Sequence, residues 1–212
     1  MQMILYFITF CAIFKCKFIF FWQERNIFSM KRVSSKEVAA GKWLALNEIE
    51  YIDNKGVRRI WESVSRKRSA GAVAIICTLK PSGRLILVRQ YRPPADSMVI
   101  EFPAGLVNPG ESPEVTAVRE LREETGYQGR LIRMIPDTFS SPGLSSELVR
   151  LAVMEADDTP AEQLVTDFDD TEDIETLLVD RSRLEEFLFE AAQRGDQVDG
   201  RVCAFAVGMS LK

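Results

Sequence analysis

The chain has 212 residues, of which 46% are hydrophobic, and a formal net charge of −4, so one domain with a packed core and a modest extension is expected. It contains no histidine, which excludes histidine-based zinc sites, Ser-His-Asp triads and a histidine general base. No run of basic residues occurs, and nucleic acid is therefore not expected as a partner.

Residues 3–22 form a strongly apolar and aromatic run that only Lys15 and Lys17 interrupt. Its uncharged part is too short to span a bilayer, and it lacks the basic start and the small-residue exit of a signal peptide. It could still be a membrane anchor whose lysines snorkel to the interface. We assign residues 1–30 to an N-terminal extension and favour the alternative that residues 1–29 lie outside the functional protein, which would then start at Met30.

The chain has four cysteines, and none of them belongs to a CxxC pair. We expect Cys77 and Cys203 to be buried thiols, which suits a reducing compartment. The cytoplasm is therefore the expected location.

Residues 43–52 and 57–64 are two extended runs that flank the turn sequence DNKG. This pattern predicts a β-hairpin. Trp43 and Trp61 lie on it, and ordinary aromatic packing would explain them. Alternatively, two indoles could stack on the two faces of a purine ring.

Two further strands are predicted at residues 71–79 and 85–91, on either side of a Pro-Ser-Gly turn. The second strand runs into the sequence QYRPP at residues 90–94, whose prolines stiffen the chain directly after Arg92. A guanidinium held in this way could bind a phosphate through two hydrogen bonds. A plain surface arginine is the alternative.

An amphipathic helix is predicted from Pro113 to Gly126. Ser112 is a favourable N-cap, proline suits the first helical position, and glycine can close the C-terminal end. At about 100° per residue, an apolar stripe on one side is expected to be buried, and three carboxylates on the opposite side are expected to face a cleft. The expected buried set is Ala117, Val118, Leu121 and Thr125, and the expected cleft set is Glu120, Glu123 and Glu124.

Clustered carboxylates repel one another, and a cation relieves that repulsion. Because all the donors are oxygen atoms, a hard divalent ion such as Mg²⁺ or Mn²⁺ is the natural partner. Arg119 lies four residues before Glu123 and is expected to hold that carboxylate in place. A merely solvated acidic face is the alternative explanation of the pattern.

The rest of the chain contains two more predicted strands, a long loop and two helices. The strands are predicted at residues 131–135 and 148–154, and the acidic stretch 155–175 is expected to be a loop. The helices are predicted at residues 183–194 and 202–209.

Gly105, Glu111 and the sequence RELREETGY at residues 119–127 match the Nudix box at every fixed position. The chain therefore resembles a Nudix hydrolase. This resemblance implies an α/β fold, namely an α/β/α sandwich of a mixed sheet and helices. It also implies metal-dependent hydrolysis of a diphosphate linked to another group, with Mg²⁺ as the metal and Mn²⁺ as the alternative.

Four stretches are similar to the ADP-sugar pyrophosphatase branch of that family. They are GKW at 41–43, WESV at 61–64, QYRPP at 90–94 and VIEFPAGLV at 99–107. The similarity implies that the substrate is a nucleoside diphosphate sugar, ADP-ribose or another ADP-sugar, which is split into AMP and a sugar phosphate. It further implies a homodimer, in which residues 31–66 form a β-hairpin arm that exchanges across the dimer and binds adenine. Residues 67–212 would then form the Nudix domain.

The resemblance also assigns roles to individual residues. Substrate binding is implied for Trp43, Trp61, Arg66, Arg92, Glu101 and Leu106, catalysis for Arg119, Glu123 and Glu172, and metal binding for Glu111, Glu120, Glu124 and the carbonyl of Ala104. Glu111 and Arg119 could instead orient the metal ligands without contacting the metal themselves. The general base is implied at Glu172, although its neighbours Asp173 and Glu175 compete for that role.

Two other functions stay open at this point. The same box could act on another nucleotide, such as a dinucleoside polyphosphate or a nucleoside triphosphate, although the two tryptophans and QYRPP argue against it. A nucleotide-binding sensor without turnover is the second alternative, and the complete set of box carboxylates argues against it.

Overall fold

The computed structural model describes residues 29–169 and 172–211. The apolar run at residues 3–22, and with it the possible membrane anchor, lies outside these ranges. Within them, none of the helices combines the length and the apolar character needed to cross a bilayer. The chain divides into two compact units, Met1–Lys67 and Arg68–Lys212.

The described part of the first unit is a three-stranded antiparallel sheet. Its strands are β1, Lys31–Ala40; β2, Leu44–Ile52; and β3, Arg58–Arg66, in the order β1-β2-β3. Asp53 closes the turn between β2 and β3, because its Oδ1 accepts hydrogen bonds from the backbone N–H groups of Lys55 (2.8 Å) and Val57 (3.0 Å). The predicted hairpin is therefore confirmed. The sequence pattern does not predict β1, because KRVSSKEVAA lacks a sustained alternation of apolar and polar residues.

The second unit is built around a mixed sheet of eight strands. They are β4, Ala72–Lys80; β5, Leu85–Arg92; β6, Ser97–Glu101; β7, Ala104–Leu106; β8, Gly129–Phe139; β9, Leu148–Asp157; β10, Ile174–Val179; and β11, Gln197–Val198. The main path runs β11-β6-β5-β4-β9-β8, with β10 paired to β5 and β7 paired to β4. The pairs β4–β9 and β6–β11 are parallel, whereas the others are antiparallel.

Helices cover both faces of this sheet. In the described part of the unit they are α1, Pro113–Thr125; α2, Leu184–Gln193; and α3, Gly200–Ser210. Successive side chains of a strand point to opposite faces, and β5 accordingly contributes to two cores. Ile86 belongs to the cluster that contains Leu121 of α1, whereas Leu85 and Leu87 pack with residues of α2 and α3. One helix on one face and two on the other make the α/β/α sandwich that the resemblance implies.

The structure corrects the expected loop at residues 155–175 at both ends. β9 continues to Asp157, and β10 begins at Ile174. β10 pairs with β5, with Ile174 opposite Gln90. The sequence conceals this strand because it is only six residues long and an acidic stretch precedes it.

The expectation of burial is wrong for Val118 and Cys203, both of which are exposed. Their chain neighbours Ala117 and Val202 are fully buried. Adjacent helical positions differ by about 100°, so the residue after each of them turns away from the sheet. Cys77 is buried as expected, and burial raises the pKa of its thiol to about 12.

Candidate active site

Helix α1 begins and ends as its sequence predicts. Ser112 Oγ accepts a hydrogen bond from the N–H of Val115 at 3.4 Å, and Pro113 occupies the first position. At the other end Gly126 has a φ of 75°, which favours glycine, and its N–H donates to the carbonyl of Arg122 at 2.8 Å. These two caps fix the length of α1 and hence the directions in which its carboxylates point.

The carboxylates of Glu120 and Glu124 are buried, and these two residues are called the buried pair below. Their exposed fractions are 9% and 2%. The expectation that they lie opposite the apolar stripe is wrong, because the buried face of α1 extends from Ala117 and Leu121 to include them. Glu124 follows Ala117 by about two helical turns and so shares its face, and Glu120 lies one turn before Glu124.

Burial controls the protonation of this pair. It is the main cause that raises the pKa of Glu124 to about 8, and the negative charges of Glu120 and Glu172 contribute to this rise. The N–H of Ala104 opposes this shift by donating to Glu124 Oε2 at 3.0 Å. Burial likewise raises the pKa of Glu120. Both carboxylates would therefore bear their charge more easily beside a cation.

Arg119 gathers three carboxylates of the site. Its Nε and Nη2 bind Glu111 at 2.9 and 3.0 Å, and its Nη1 lies 2.8 Å from both Glu120 Oε1 and Glu123 Oε2. The expected pairing with Glu123 is therefore confirmed. Glu111 also accepts from Thr116 Oγ1 at 2.8 Å, and Arg119 is the main cause that lowers the pKa of Glu111 to about 2.

Strand β7 lies beside α1 and carries two of the expected site residues. Ala104 is bonded to Glu124 as described, and the side chain of Leu106 is 40% exposed. The carbonyl of Leu106 accepts a hydrogen bond from Arg119 Nη2 at 3.3 Å. The structure thus brings Ala104 and Leu106 to the region of the buried pair and Arg119.

The oxygen atoms of the buried pair suit a hard divalent cation, because each carboxylate has lost solvent and would regain stabilisation from a positive charge. A Cβ on Gly105 would collide with the carboxylate of Glu120, so the glycine leaves the space that this carboxylate occupies. Among residues 29–169 and 172–211, no group of three or more histidine, cysteine or acidic side chains is already placed to hold a metal ion.

Arg92 is held at the exit of β5 by a buried carboxylate, that of Glu101. Its Nε and Nη2 both lie 2.7 Å from Glu101 Oε2, which also accepts from Gln90 Nε2 at 3.2 Å. Glu101 is only 7% exposed. The guanidinium therefore has a defined place, as the QYRPP pattern predicts.

The sequence analysis misses two members of this network. The place of Gln90 could have been predicted from the sequence, because Gln90 and Arg92 are two residues apart on a strand and such residues share a face. Arg201, near the start of α3, donates to both oxygens of Asp199 at 2.8 and 2.9 Å. These bonds raise the pKa of Arg201, and the charge of Glu101 adds to the rise. No local signal marks Arg201, because it reaches Glu101 only through the fold.

The negative charge of Glu172 raises the pKa values of both members of the buried pair, so its carboxylate lies within electrostatic range of them. Its Oε2 accepts from the N–H of Asp169 at 3.0 Å, and its own N–H donates to the Asp169 carbonyl at 2.9 Å. Its two rivals differ from it. Glu175 belongs to β10 and pairs with Arg89 at 3.2 Å, and Asp173 is exposed.

Trp43 and Trp61 of the first unit are 64% and 50% exposed. The Nζ of Lys42 lies 4.5 Å from the ring centroid of Trp43, and Trp61 makes an edge contact with Tyr51 at 6.5 Å between centroids. Burial in a core therefore does not explain these tryptophans. Arg66, the third site residue expected in this unit, is the last residue of β3.

Comparisons with known proteins agree with these features. The NUDIX domain family matches residues 68–198 of the chain. The ADP-ribose pyrophosphatase of Saccharomyces cerevisiae is 36% identical over 186 residues, which cover 83% of this chain and 80% of that protein. The ADP-sugar pyrophosphatase of Mus musculus is 44% identical over 122 residues, which cover 54% of this chain and 56% of that protein.

One solved structure is also similar to this chain. A crystal structure described as an ADP compounds hydrolase superposes with a TM-score of 0.58 at 21% identity, over 77% of this chain and 85% of that one. At this level of identity the similarity supports the sandwich fold.

Proposed function

The chain belongs to the Nudix family, and on that basis we propose that it hydrolyses the diphosphate of ADP-ribose, or of a related ADP-sugar, to AMP and a sugar phosphate. The observation that carries this proposal is the buried pair, whose carboxylates have raised pKa values and lie beside β7 and Arg119. The names of the yeast and mouse relatives favour a nucleoside diphosphate sugar as the substrate.

Nudix hydrolases use divalent metals, and the buried pair together with the carbonyl oxygen of Ala104 would hold Mg²⁺, or alternatively Mn²⁺. When bound, the cation would neutralise the diphosphate and stabilise the charge that develops on the leaving oxygen. Glu111 has donors on both of its oxygens, so we assign it to hold Arg119 instead of the metal. Glu123, which Arg119 also holds, adds negative charge beside the pair.

The remaining chemistry is assigned to Glu172 and Arg92. Glu172 would accept the proton of the water that attacks one phosphorus atom, while the bond to the bridging oxygen breaks. The effect of its charge on both members of the buried pair supports this role. Arg92, fixed by Glu101, would donate its remaining N–H groups to a non-reacting phosphate oxygen, and Leu106 would contact the substrate.

We also assign the first unit to dimerisation and adenine binding. The exposed apolar residues of this unit include Val33 and Val38 of β1, at 42% and 56%, and Ile60 of β3, at 57%. Burial of such apolar surface against a second copy of the chain would be favourable. The exposed indoles of Trp43 and Trp61 could then stack on adenine, and Arg66 would contact the substrate.

A panel of nucleotides tests the proposal. The purified chain with Mg²⁺ is incubated with ADP-ribose, ADP-glucose, UDP-glucose, a dinucleoside polyphosphate and ATP, and a phosphatase then releases phosphate from the products. The ADP-sugars should give the highest kcat/KM, and ADP-ribose should yield AMP and ribose 5-phosphate in equal amounts. A preference for the dinucleoside polyphosphate or ATP would assign a different Nudix specificity. Binding of ADP-ribose without any turnover would indicate a sensor.

A further inference from the structure

The segment that follows β9 is anchored on the C-terminal end of α1. Leu164 packs against the core cluster that contains Leu121 and Tyr127. The N–H of Asp167 donates to the carbonyl oxygen of Glu123 at 2.9 Å. The segment is therefore attached to the same helix that carries the buried pair.

Gly126 makes this close attachment possible. A Cβ at this position would lie 2.9 Å from the Cβ of Leu164 and 2.9 Å from the backbone N of Val165, both too short for a real contact. The two neighbours on the segment differ in environment, because Leu164 is half-buried whereas Val165 is 76% exposed. Leu164 is therefore the side chain through which the segment is anchored.

The segment carries Glu172 between two fixed points. On its N-terminal side Leu164 and Asp167 contact α1. Asp169, the last described residue before Glu172, donates its N–H to Glu172 Oε2 at 3.0 Å, and its carbonyl accepts the N–H of Glu172 at 2.9 Å. On its C-terminal side Ile174 begins β10 and pairs with Gln90 of β5. Where Glu172 lies relative to the buried pair therefore depends on both attachments.

We propose that Leu164 is a positioning residue, which holds the Glu172 carboxylate beside the buried pair by anchoring the segment on the end of α1. This inference rests on the proposed function, in which Glu172 accepts the proton of the attacking water. If this is so, the effect of Leu164 on turnover depends on the presence of Glu172. A residue that only supports the core would affect turnover whether or not Glu172 is present.

A double-mutant cycle on the full chain, with ADP-ribose and Mg²⁺, tests this consequence. Glu172→Gln should lower kcat by about 10²-fold or more, the usual contribution of a general base. Leu164→Ala should lower kcat by about tenfold with a smaller change in KM, because the base is displaced while the binding groups stay. When Glu172→Gln is already present, Leu164→Ala should lower kcat by about twofold or less, because no base remains to be displaced.

Two variants on the same segment serve as controls. Val165→Ala, at an exposed position, should keep the kcat of the unmodified chain. Leu164→Met keeps a long apolar side chain, and its kcat should therefore be closer to that of the unmodified chain than the kcat of Leu164→Ala is. If Leu164→Ala does not fold, Leu164→Val carries the same cycle. An equal loss in both Glu172 backgrounds, or an equal loss from Val165→Ala, would overturn the proposal.

The two proposals fail in different ways. Hydrolysis of ADP-ribose by the unmodified chain, together with an additive cycle, would refute the role of Leu164 and leave the proposed function intact. Normal turnover of Glu172→Gln would refute the assignment of Glu172 as the base and, with it, the role of Leu164, while the proposed hydrolysis of ADP-ribose would stand. Absence of ADP-ribose turnover in the unmodified chain would refute the proposed function and, with it, this inference.

Discussion

The backbone of Gly105 lies against the carboxylate of Glu120, so closely that a Cβ at position 105 would overlap the carboxylate carbon and both of its oxygens. The obstructing atoms form the end of a flexible side chain, and a methyl group would therefore displace the carboxylate more easily than the strand. We expect Gly105→Ala to weaken Mg²⁺ binding and lower kcat, with little change in the melting temperature of the metal-free protein.

Calorimetric titration with Mg²⁺ and thermal unfolding measure the two effects. Gly208→Ala is the matched control, because a Cβ there meets no atom within 4 Å. Unchanged Mg²⁺ affinity in a folded Gly105→Ala variant would show that the position of Glu120 does not matter for the metal.

Arg119 binds three carboxylates through the three nitrogen atoms of one planar guanidinium, which a lysine ammonium cannot reproduce. We expect Arg119→Lys to lower kcat/KM for ADP-ribose by about tenfold or more, because Glu111, Glu120 and Glu123 lose their common partner. Arg122→Lys on the same helix is the control. Arg122 makes only longer contacts, at 3.6 and 3.9 Å, and such exposed pairs contribute little. Equal activity of the two variants would refute the organising role of Arg119.

The raised pKa of Glu124 predicts how the stability of the metal-free protein changes with pH. Between its ordinary pKa of 4.5 and its folded pKa of about 8, the folded protein keeps a proton that the unfolded chain releases. The free energy of unfolding should therefore fall as pH rises through this window and level off above it. Glu120, whose pKa burial also raises, changes the free energy of unfolding in the same direction. The lowered pKa of Glu111, about 2, affects stability only between that value and 4.5, which lies below this window.

Urea unfolding in the presence of a chelator, at pH 5 and pH 8, measures this effect. Glu124→Gln should show a smaller decrease between the two pH values than the unmodified chain. Equal decreases in both proteins would mean that Glu124 ionises normally. Mg²⁺ should stabilise the unmodified chain more at pH 8 than at pH 5, because it binds the ionised carboxylate.

Trp61→Ala should raise the KM for ADP-ribose by about tenfold, since base stacking is worth roughly 1–3 kcal/mol per contact. The value of kcat should change much less, because the chemical step uses carboxylates. The preference for ADP-ribose over UDP-glucose should narrow as well. Glu62→Gln, at the neighbouring exposed position on β3, should leave that preference unchanged.

Steady-state kinetics on both substrates, with melting temperatures, separate stacking from structural support. A Trp61→Ala variant that melts several degrees lower but keeps the ratio of the two KM values would make this tryptophan structural. It would also remove the main support for adenine recognition by the first unit.

The ends of α1 could be predicted from sequence because Ser112, Pro113 and Gly126 act on backbone groups within about one helical turn. The helical period also predicts the burial of Ala117, Leu121 and Thr125, but it does not predict that of Glu120 and Glu124. A spacing of about 100° per residue groups Glu120 and Glu124 with Glu123, on the side opposite the apolar stripe. The burial of Glu120 and Glu124 depends on β7, which the periodicity of α1 alone does not reveal.

The features that sequence analysis misses are long-range. Strand β10 forms by pairing with β5, and Leu164 docks on a helix end that precedes it by many residues. Arg201 follows β11 in the chain and Glu101 ends β6, so the pairing of these two strands brings the charge of Glu101 close enough to raise the pKa of Arg201. Each of these contacts joins distant parts of the chain, and no local propensity encodes them.

The central claim is that the buried pair on α1 performs the hydrolysis, and Glu124→Gln tests it most directly. The substitution keeps the shape of the side chain and removes its charge. Glu114→Gln, at an exposed position in the first turn of the same helix, is the matched control.

The measurement is kcat/KM for ADP-ribose at saturating Mg²⁺, together with the melting temperature. We expect a folded Glu124→Gln protein that loses at least about a hundredfold in kcat/KM, because it lacks a metal ligand, while Glu114→Gln keeps the value of the unmodified chain. A folded Glu124→Gln protein that hydrolyses ADP-ribose at the unmodified rate would contradict the assignment of the site.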